Sequence, residues 1–323
     1  MLASAFGYAH PSFHAAAFAE MLQHPQFRNR SPTSLISKLR EEPGEERRMK
    51  TEMRKRICAA AIFLGLCAVP ALGQEPGNTD AELAEKLANP IASLVSVPIQ
   101  FNYDSGYGPA NGNKAFANVQ PVIPFDLSPD LSLVTRTIVP IAWQNDISGN
   151  SGTQFGLGDT LQSFFLVPQP QKTTLGTLTY GAGPAVNWPT STDRLLGSGT
   201  LGMGPTGVFL FQGSGWTYGA LVNQVWGIAA TRGHTPDLSN TFLQPFVSYT
   251  TADAWNFAMN SESSYNWTSG QWSVPINWTV AKLTAIGGQR VQFQAGLRYW
   301  AHAASGGPNG VGARFAVTFL FPK

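Results

Sequence analysis

The sequence predicts an all-β protein, an antiparallel transmembrane β-barrel of about twelve strands preceded by a short helical segment. Apolar and polar residues alternate with a period of two along most of the chain, which is typical of a sheet with one apolar and one polar face. Long and short connections alternate between the strand-like segments, and tryptophans lie near segment ends. Both features are typical of barrels in bacterial outer membranes.

Charged residues are scarce in the later part of the 323-residue chain. From residue 74 onward there are 13 acidic and 11 basic side chains, well below the usual share of about a quarter in a soluble domain. This near-neutral balance excludes a basic nucleic-acid binder, so we expect no nucleic-acid partner. Both cysteines lie before residue 74, which excludes a disulfide framework and a cysteine metal site in the remainder.

Residues 49–73 are predicted to be a cleaved secretory signal peptide, although a core helix is the alternative. A basic start at 50–56 precedes an uncharged apolar stretch at 57–69, and the small residues at 71–73 suit cleavage before Gln74. Because such a signal stands at the start of a chain, we interpret residues 1–48 as a mis-assigned upstream extension or a disordered segment.

Residues 74–92 are expected to form a periplasmic N-terminal segment with a short helix, ahead of a barrel over 93–323. Apolar residues recur at helical spacing from Leu83 to Leu94, and Pro90 would break or bend that run.

Strict alternation defines the strands that follow. In 290–299, for example, the odd-numbered residues are apolar or aromatic, whereas Arg290, Gln292, Gln294 and Arg298 take the other face. Most of the segments reach the roughly nine to eleven residues that a tilted strand needs to cross a bilayer. The twelve predicted segments are 93–104, 115–125, 131–144, 154–167, 173–188, 199–211, 216–230, 241–249, 254–267, 271–283, 289–301 and 310–321.

The connections alternate between long and short, except for the ninth. Periplasmic turns of outer-membrane barrels are tight and outer loops are longer. With a periplasmic N-terminus, the long connections all face outward, and they are rich in the Gly, Asn, Ser and Pro typical of loops. They are 105–114, 145–153, 189–198, 231–240 and 302–309.

The tryptophan positions favour the predicted barrel, whereas the proline positions argue against it. Seven of the nine tryptophans lie near segment ends, where amphipathic rings favour the membrane boundary. Eight prolines, however, fall inside proposed strands, and each removes a backbone donor. A closed barrel must place them at bulges, near its rims, or where lumen water serves the free carbonyl. These prolines are Pro98, Pro121, Pro124, Pro140, Pro184, Pro205, Pro245 and Pro275.

Several stretches resemble a bacterial family of outer-membrane transporters named for the meta-cleavage pathway of phenol degradation. The resemblance covers most of 80–321 and implies an outer-membrane β-barrel that passes small, often hydrophobic or aromatic, compounds. It assigns no functional residue. The stretches that carry it are 82–104 (ELAEKLANPIASLVSVPIQFNYD), 118–125 (NVQPVIPF), 135–140 (TRTIVP) and 156–159 (GLGD), the last followed by Phe164 and Phe165.

Six polar residues lie opposite the apolar row or flank it, and they are the candidate lumen-lining residues. A charge that faces lipid at the bilayer midplane costs about 2–4 kcal/mol, so these side chains are expected to project into the lumen. Two interpretations stay open: a salt-bridged interior that stiffens or plugs the barrel, and a constriction that screens solutes by charge and hydrogen bonding. The six are Arg136, Asn187, Glu262, Gln294, Arg298 and Arg314.

Two further motifs are weak. The GSGTLG stretch at 197–202 matches a dinucleotide-binding pattern, but it follows a polar loop and does not open a helix. His302 and Ser305 are the nearest pair for a serine hydrolase, yet they lie in a glycine-rich loop without an orienting carboxylate.

The sequence therefore predicts an exported outer-membrane channel for the passive passage of small solutes, with membrane lipid and solutes as partners, no cofactor and no bond chemistry. A structural or adhesive barrel with a blocked lumen, an outer-membrane lipid hydrolase and a soluble periplasmic β protein are the alternatives.

Overall fold

The structure, a computed structural model, describes residues 79–231 and 237–321. The predicted upstream extension at 1–48 and the predicted signal peptide at 49–73 lie outside the described residues. No helix in the described ranges is long and apolar enough to cross a membrane.

The described part of the chain contains one helix and sixteen strands. They are α1 (Asp80–Leu87), β1 (Val95–Tyr107), β2 (Gly112–Val119), β3 (Val122–Ser128), β4 (Leu131–Asn145), β5 (Thr153–Leu157), β6 (Thr160–Pro168), β7 (Gln171–Thr173), β8 (Gly176–Trp188), β9 (Thr200–Gly213), β10 (Trp216–Ala230), β11 (Ser239–Thr250), β12 (Trp255–Ser261), β13 (Ser263–Asn266), β14 (Gln271–Ile286), β15 (Gln289–His302) and β16 (Val311–Phe321).

All sixteen strands belong to one antiparallel sheet that closes on itself. Each position in the wall pairs with the positions before and after it along the chain, and β1 pairs with β16 from Val95↔Phe321 to Tyr103↔Ala313. Three positions in the wall are shared by consecutive short strands: β2 with β3, β5 with β6 and β7, and β12 with β13. Counted by position, the barrel has twelve strands, and the predicted fold is confirmed.

The connections gather at two ends, which we call the turn end and the loop end. The turn end carries the short turns 129–130, 174–175, 214–215, 251–254 and 287–288, together with the start of β1 and the end of β16. The loop end carries 108–111, 146–152, 189–199, 267–270 and 303–310, and β10 ends and β11 begins there.

The shortest turns follow from their residues. Ser214 and Gly215 have φ of 51° and 81°, and Gly287 and Gly288 have φ of 57° and 86°. Two successive positive φ angles match the right-handed twist of a hairpin, and glycine adopts them without a steric penalty. At the loop end, the predicted long connection 105–114 is only four residues, because β1 and β2 stay paired out to Tyr107 and Gly112.

Burial alternates along the wall as a barrel in lipid requires. On β1, Phe101 and Tyr103 are 47% and 46% exposed, whereas Asn102 and Asp104 are 3% and 1% exposed. In a closed sheet the buried row faces the enclosed interior, so the polar row is inside and the apolar row is outside.

Some of the prolines explain where the wall is interrupted. Pro121 lies in the break between β2 and β3, and Pro275 lies at a register shift between β14 and β15. The carbonyl of Pro275 accepts a hydrogen bond from the Ser261 hydroxyl (2.9 Å). Pro184 and Pro205 face each other across β8 and β9 within continuous strands. Breaks and bulges therefore accommodate only part of the set.

An apolar cluster inside the barrel surrounds the segment that follows α1. Ile91 is 2% exposed and packs against buried side chains from strands on several sides of the wall. Burying a side chain of this size stabilises by about 1.5–3 kcal/mol. The wall residues of the cluster are Val122, Val134, Phe165, Val167, Val208, Leu210 and Leu221.

Helix α1 packs at the turn end against a second apolar cluster. Its Leu83 and Ala84 contact Ala254, Leu283 and Leu320, which come from the 251–254 turn, β14 and β16. The segment 80–91 therefore occupies part of the interior at this end, a placement that the helical periodicity in the sequence does not predict.

Polar contacts complete the attachment of α1. Thr79 and Glu82 form a reciprocal capping box at its N-terminus, and Asp80 pairs with Arg290 of β15. The side chain of Gln212 on β9 donates to the carbonyl oxygen of Glu85 (2.8 Å). Because these partners lie on different strands, the helix bridges the barrel rather than resting on one wall.

Candidate functional site

A network of charged side chains lies inside the barrel, closer to the loop end than the apolar clusters. Its centre is Glu262, which occupies the one-residue break between β12 and β13. Arg314 of β16 forms a two-pronged ion pair with it, with N–O distances of 2.6 Å and 3.0 Å. Arg298 of β15 contacts the same carboxylate at 3.1 Å. Glu262 therefore reaches across β14 and joins two arginines that lie on the next two strands, β15 and β16.

Two residues of β1 extend the network. Asn102 Oδ1 accepts from Arg314 Nε at 2.8 Å, and Asp104 Oδ1 lies 3.5 Å from Arg298 Nε. Asp104 Oδ1 also accepts from the indole N–H of Trp300 at 2.8 Å. Because their registers bring the inward rows of β1, β15 and β16 side by side, these residues meet at one level of the wall.

Glycines make room for the two guanidinium groups. Across the β15–β16 pair, Arg298 lies opposite Gly312 and Arg314 lies opposite Gly296. A Cβ on Gly312 would stand 2.5 Å from Asp104 Oδ1. The small residues therefore let the arginines lie along the wall and reach their carboxylates.

Aromatic rings border the network. The guanidinium carbon of Arg298 lies 4.7 Å from the Trp300 ring centroid and 5.9 Å from that of Phe116. Lys114 Nζ lies 5.9 Å from the same Phe116 ring. Cations over ring faces are stabilised by the ring quadrupole, so both charges keep a partner where water is scarce.

The wall residues at and near the network carry a surplus of positive charge. Glu262 and Asp104 balance Arg298 and Arg314, all four of them joined within 3.5 Å. Lys114 and Arg136 face the same interior without an ion pair of their own in the described part of the chain. At this level, a wall with such a balance favours anions over cations.

Arg136 lies farther toward the turn end than the network. Its Nη2 donates to Gln120 Oε1 at 3.0 Å, and the charge of Glu262 acts on it without contact. Gln294 donates to Thr279 Oγ1 (3.2 Å) and Asn187 to the carbonyl of Thr200 (2.9 Å). Of the six candidate residues, the structure thus joins Glu262, Arg298 and Arg314 directly and keeps the other three apart.

Sequence reasoning missed Asn102, Asp104, Lys114 and Trp300 as members of the network. A signal was available, because Asn102 and Asp104 alternate with Phe101 and Tyr103, and a carboxylate within a strand is rare in this chain. The alternation does not predict the register between neighbouring strands, and this register brings these residues into contact with the arginines.

One titratable group of α1 is perturbed. Burial, and next the nearby charge of Glu82, raise the pKa of the Glu85 carboxyl above its usual range. The charged form of this carboxyl is therefore less favourable in the folded helix than in a free glutamate side chain.

The weak hydrolase candidate gains no geometric support. His302 and Ser305 are both exposed at the loop end, and no hydrogen bond joins them in the described part of the chain. The backbone N–H of Ser305 donates to Gln271 Oε1 at 2.7 Å. No arrangement of nucleophile, base and orienting acid is formed at this pair.

No protein-family model and no curated protein matches the chain. Among solved structures, an outer-membrane channel from Pseudomonas putida F1 is 12% identical, with a TM-score of 0.56, over 71% of this chain and 96% of that one. Outer membrane phospholipase A from Escherichia coli is 12% identical (TM-score 0.41) over 72% of this chain and 99% of that one. A Pseudomonas aeruginosa FadL homologue is 10% identical (TM-score 0.35), with coverages of 79% and 95%.

The likeness to the Pseudomonas putida channel concerns the fold. It extends over nearly the whole of that protein, and it agrees with the closed twelve-strand sheet and its outward apolar row. The barrel fold of this chain matches that of bacterial outer-membrane proteins.

Proposed function

We propose that the protein is an outer-membrane channel for the passive passage of small solutes, exported to the outer membrane and embedded there in lipid. The observation that carries the proposal is the enclosed charged network around Glu262 inside a closed barrel whose outward row is apolar. Fixed charges held at one level of a pore act on every solute that passes. The six candidate residues, Arg136, Asn187, Glu262, Gln294, Arg298 and Arg314, are proposed to line this route.

The solutes are proposed to include aromatic compounds. Phe116 and Trp300 border the charged network, and both rings already receive a cation from the wall. Ring faces next to hydrogen-bond donors suit a solute with an apolar body and a polar group. The uptake profile of a deletion strain across aromatic and aliphatic compounds tests this. A loss confined to aliphatic compounds contradicts it.

A blocked-lumen structural barrel is the second candidate, and one observation favours it. Ile91 and the wall residues around it fill the interior near the turn end with apolar side chains. A channel must therefore pass solutes beside this segment or displace it.

Conductance measurements on the refolded full chain in planar bilayers separate the two candidates. If the protein is a channel, we expect discrete conductance steps. Because the wall near the network is positively charged, the reversal potential in a KCl gradient should have the sign of chloride selectivity. A folded barrel that shows neither conductance nor solute flux defeats the channel proposal and supports the blocked lumen.

A further inference from the structure

A cavity of about 190 Å³ lies between the N-terminal segment and the wall, on the turn-end side of the charged network. One side is formed by residues 86–94, and the other by the inward rows of β1, β3, β4, β15 and β16. At roughly 30 Å³ for each water molecule in the liquid, the cavity has room for about six waters or a solute of similar size.

The lining is positively charged. Among the described residues, the lining contains Arg136 from the wall, Lys86 from α1 and no carboxylate. The charge of Glu262 acts on Arg136, but Glu262 is already bound to two arginines. Placing a cation inside a barrel without a counter-charge is costly, and an anion in the cavity offsets that cost.

The donors of Arg136 are available for such an anion. Its guanidinium carries five N–H groups, and the bond to Gln120 is its single hydrogen bond in the described part of the chain. Gln120 and Arg136 both line the cavity, so the bonded pair borders the open space. A planar guanidinium binds a carboxylate through two parallel hydrogen bonds.

The remaining lining is mixed in a way that restricts the ligand. The amides of Gln100, Gln292 and Gln294 can bond a polar group, whereas Leu94 and Val122 provide apolar surface. A small fully polar ion would leave the apolar part uncompensated. A carboxylate with a short hydrocarbon tail matches both parts of the lining and the volume.

We propose that this cavity is a binding site for a small monocarboxylate, with the carboxylate on Arg136 and the short apolar tail against the N-terminal segment. Lys86 adds a second positive charge at the exposed side of the cavity. The site goes beyond the proposed channel function, because binding here does not require that any solute crosses the barrel.

Calorimetric titration of the folded, detergent-solubilised full chain with butyrate tests the proposal, with butyramide as the neutral ligand of similar shape. We expect saturable butyrate binding, and butyramide binding at least about tenfold weaker, because butyramide carries no negative charge to pair with Arg136. Gel mobility with and without heating reports whether each variant is folded.

Arg136→Gln is expected to weaken butyrate binding by about tenfold or more. Arg194→Gln is the matched control, because Arg194 is exposed in the 189–199 connection, and its binding should equal that of the wild type. Lys86→Gln, on the exposed side of α1, is the second variant should Arg136→Gln not fold, and it should weaken butyrate but not butyramide.

Several results would overturn the site. They are a folded wild type without saturable butyrate binding, equal affinity for butyramide, or unchanged butyrate affinity in both Arg136→Gln and Lys86→Gln. Because the titration is made in detergent, a protein that does not conduct ions can still bind butyrate, and the two proposals fail separately.

Discussion

The two halves of the barrel interior are built from the same strands but differ in chemistry. Toward the turn end, apolar clusters around α1 and Ile91 fill much of the interior, beside the polar cavity that Arg136 lines. Toward the loop end it holds the charged network of Glu262, Arg298 and Arg314. The difference shows that one half of the interior is packed like a protein core, while the other half keeps charges that a solute could meet.

The boundary between the halves runs within individual strands. On β4 the inward residue Val134 is 1% exposed inside the apolar cluster. Two positions farther along the same face, Arg136 reaches the cavity. One strand therefore supplies both a core residue and a charged residue. The two residues differ only in their distance from the turn end.

Breaking the charged half is expected to have the largest effect. Glu262→Gln leaves two buried arginines without their shared carboxylate, and removing one partner of a buried ion pair costs about 3–5 kcal/mol. The free energy of unfolding in urea measures this. Asp253→Asn, which changes an exposed turn carboxylate, is the control. A Glu262→Gln barrel as stable as the wild type would show that the network is not needed for packing.

Weakening the apolar half is expected to cost somewhat less. Ile91→Ala removes a 2% exposed side chain from the interior cluster, a change that costs about 2–5 kcal/mol. Since the loss loosens the N-terminal segment, we also expect more frequent or larger conductance steps in planar bilayers. Leu175→Ala, in an exposed turn, is the control. Unchanged stability and conductance would mean that Ile91 does not hold the segment in place.

A smaller effect is expected from the helix cap. Thr79→Ala removes the hydroxyl that accepts from the Glu82 N–H at 3.3 Å, and the loss of such a cap costs about 1 kcal/mol. The change should increase proteolysis near α1 without unfolding the barrel. Ser93→Ala, an exposed serine outside the helix, should leave proteolysis as in the wild type. Global unfolding of Thr79→Ala would contradict this division.

The smallest effect is expected from pH. Because the pKa of Glu85 is raised in the folded protein by burial and by Glu82, the neutral carboxyl is favoured when α1 is docked. Its contribution to docking is fully present below the ordinary glutamate pKa of about 4.3 and is lost as pH rises through the raised value. The rate of proteolysis near α1 should therefore increase from pH 4 to neutral pH. The rate is measured with a protease that is active over this whole pH range.

Glu85→Gln is the matching variant for this pH dependence. It keeps the size of the side chain and removes its titration, so it should flatten the proteolysis profile. A wild-type profile without any slope, or a slope that persists in Glu85→Gln, would assign the pH dependence to another group.

Sequence reasoning predicted the wall well because alternation is a local property. In each of the twelve predicted segments the strand is present, and the turns at Ser214–Gly215 and Gly287–Gly288 follow from residues that accept positive φ. The connection at 105–114 was predicted too long, because residues with loop-like composition at the end of β1 remain paired with β2.

The candidate site was less accessible to sequence reasoning. That Arg298 and Arg314 face inward follows from alternation, but their meeting with Glu262 depends on registers between strands and on the break at position 262. The position of α1 could not be predicted from the sequence either. The pattern of an amphipathic helix shows which of its faces is apolar, but it does not show which surface that face packs against.

The pairing of β1 with β16 has a consequence for assembly. These strands are the first and last of the sheet, so their contact joins residues more than two hundred positions apart and is the slowest kind to form. Ile91 stands only four residues before β1 begins. Once the two edges have joined, the N-terminal segment can reach the interior only through the turn end, where α1 lies.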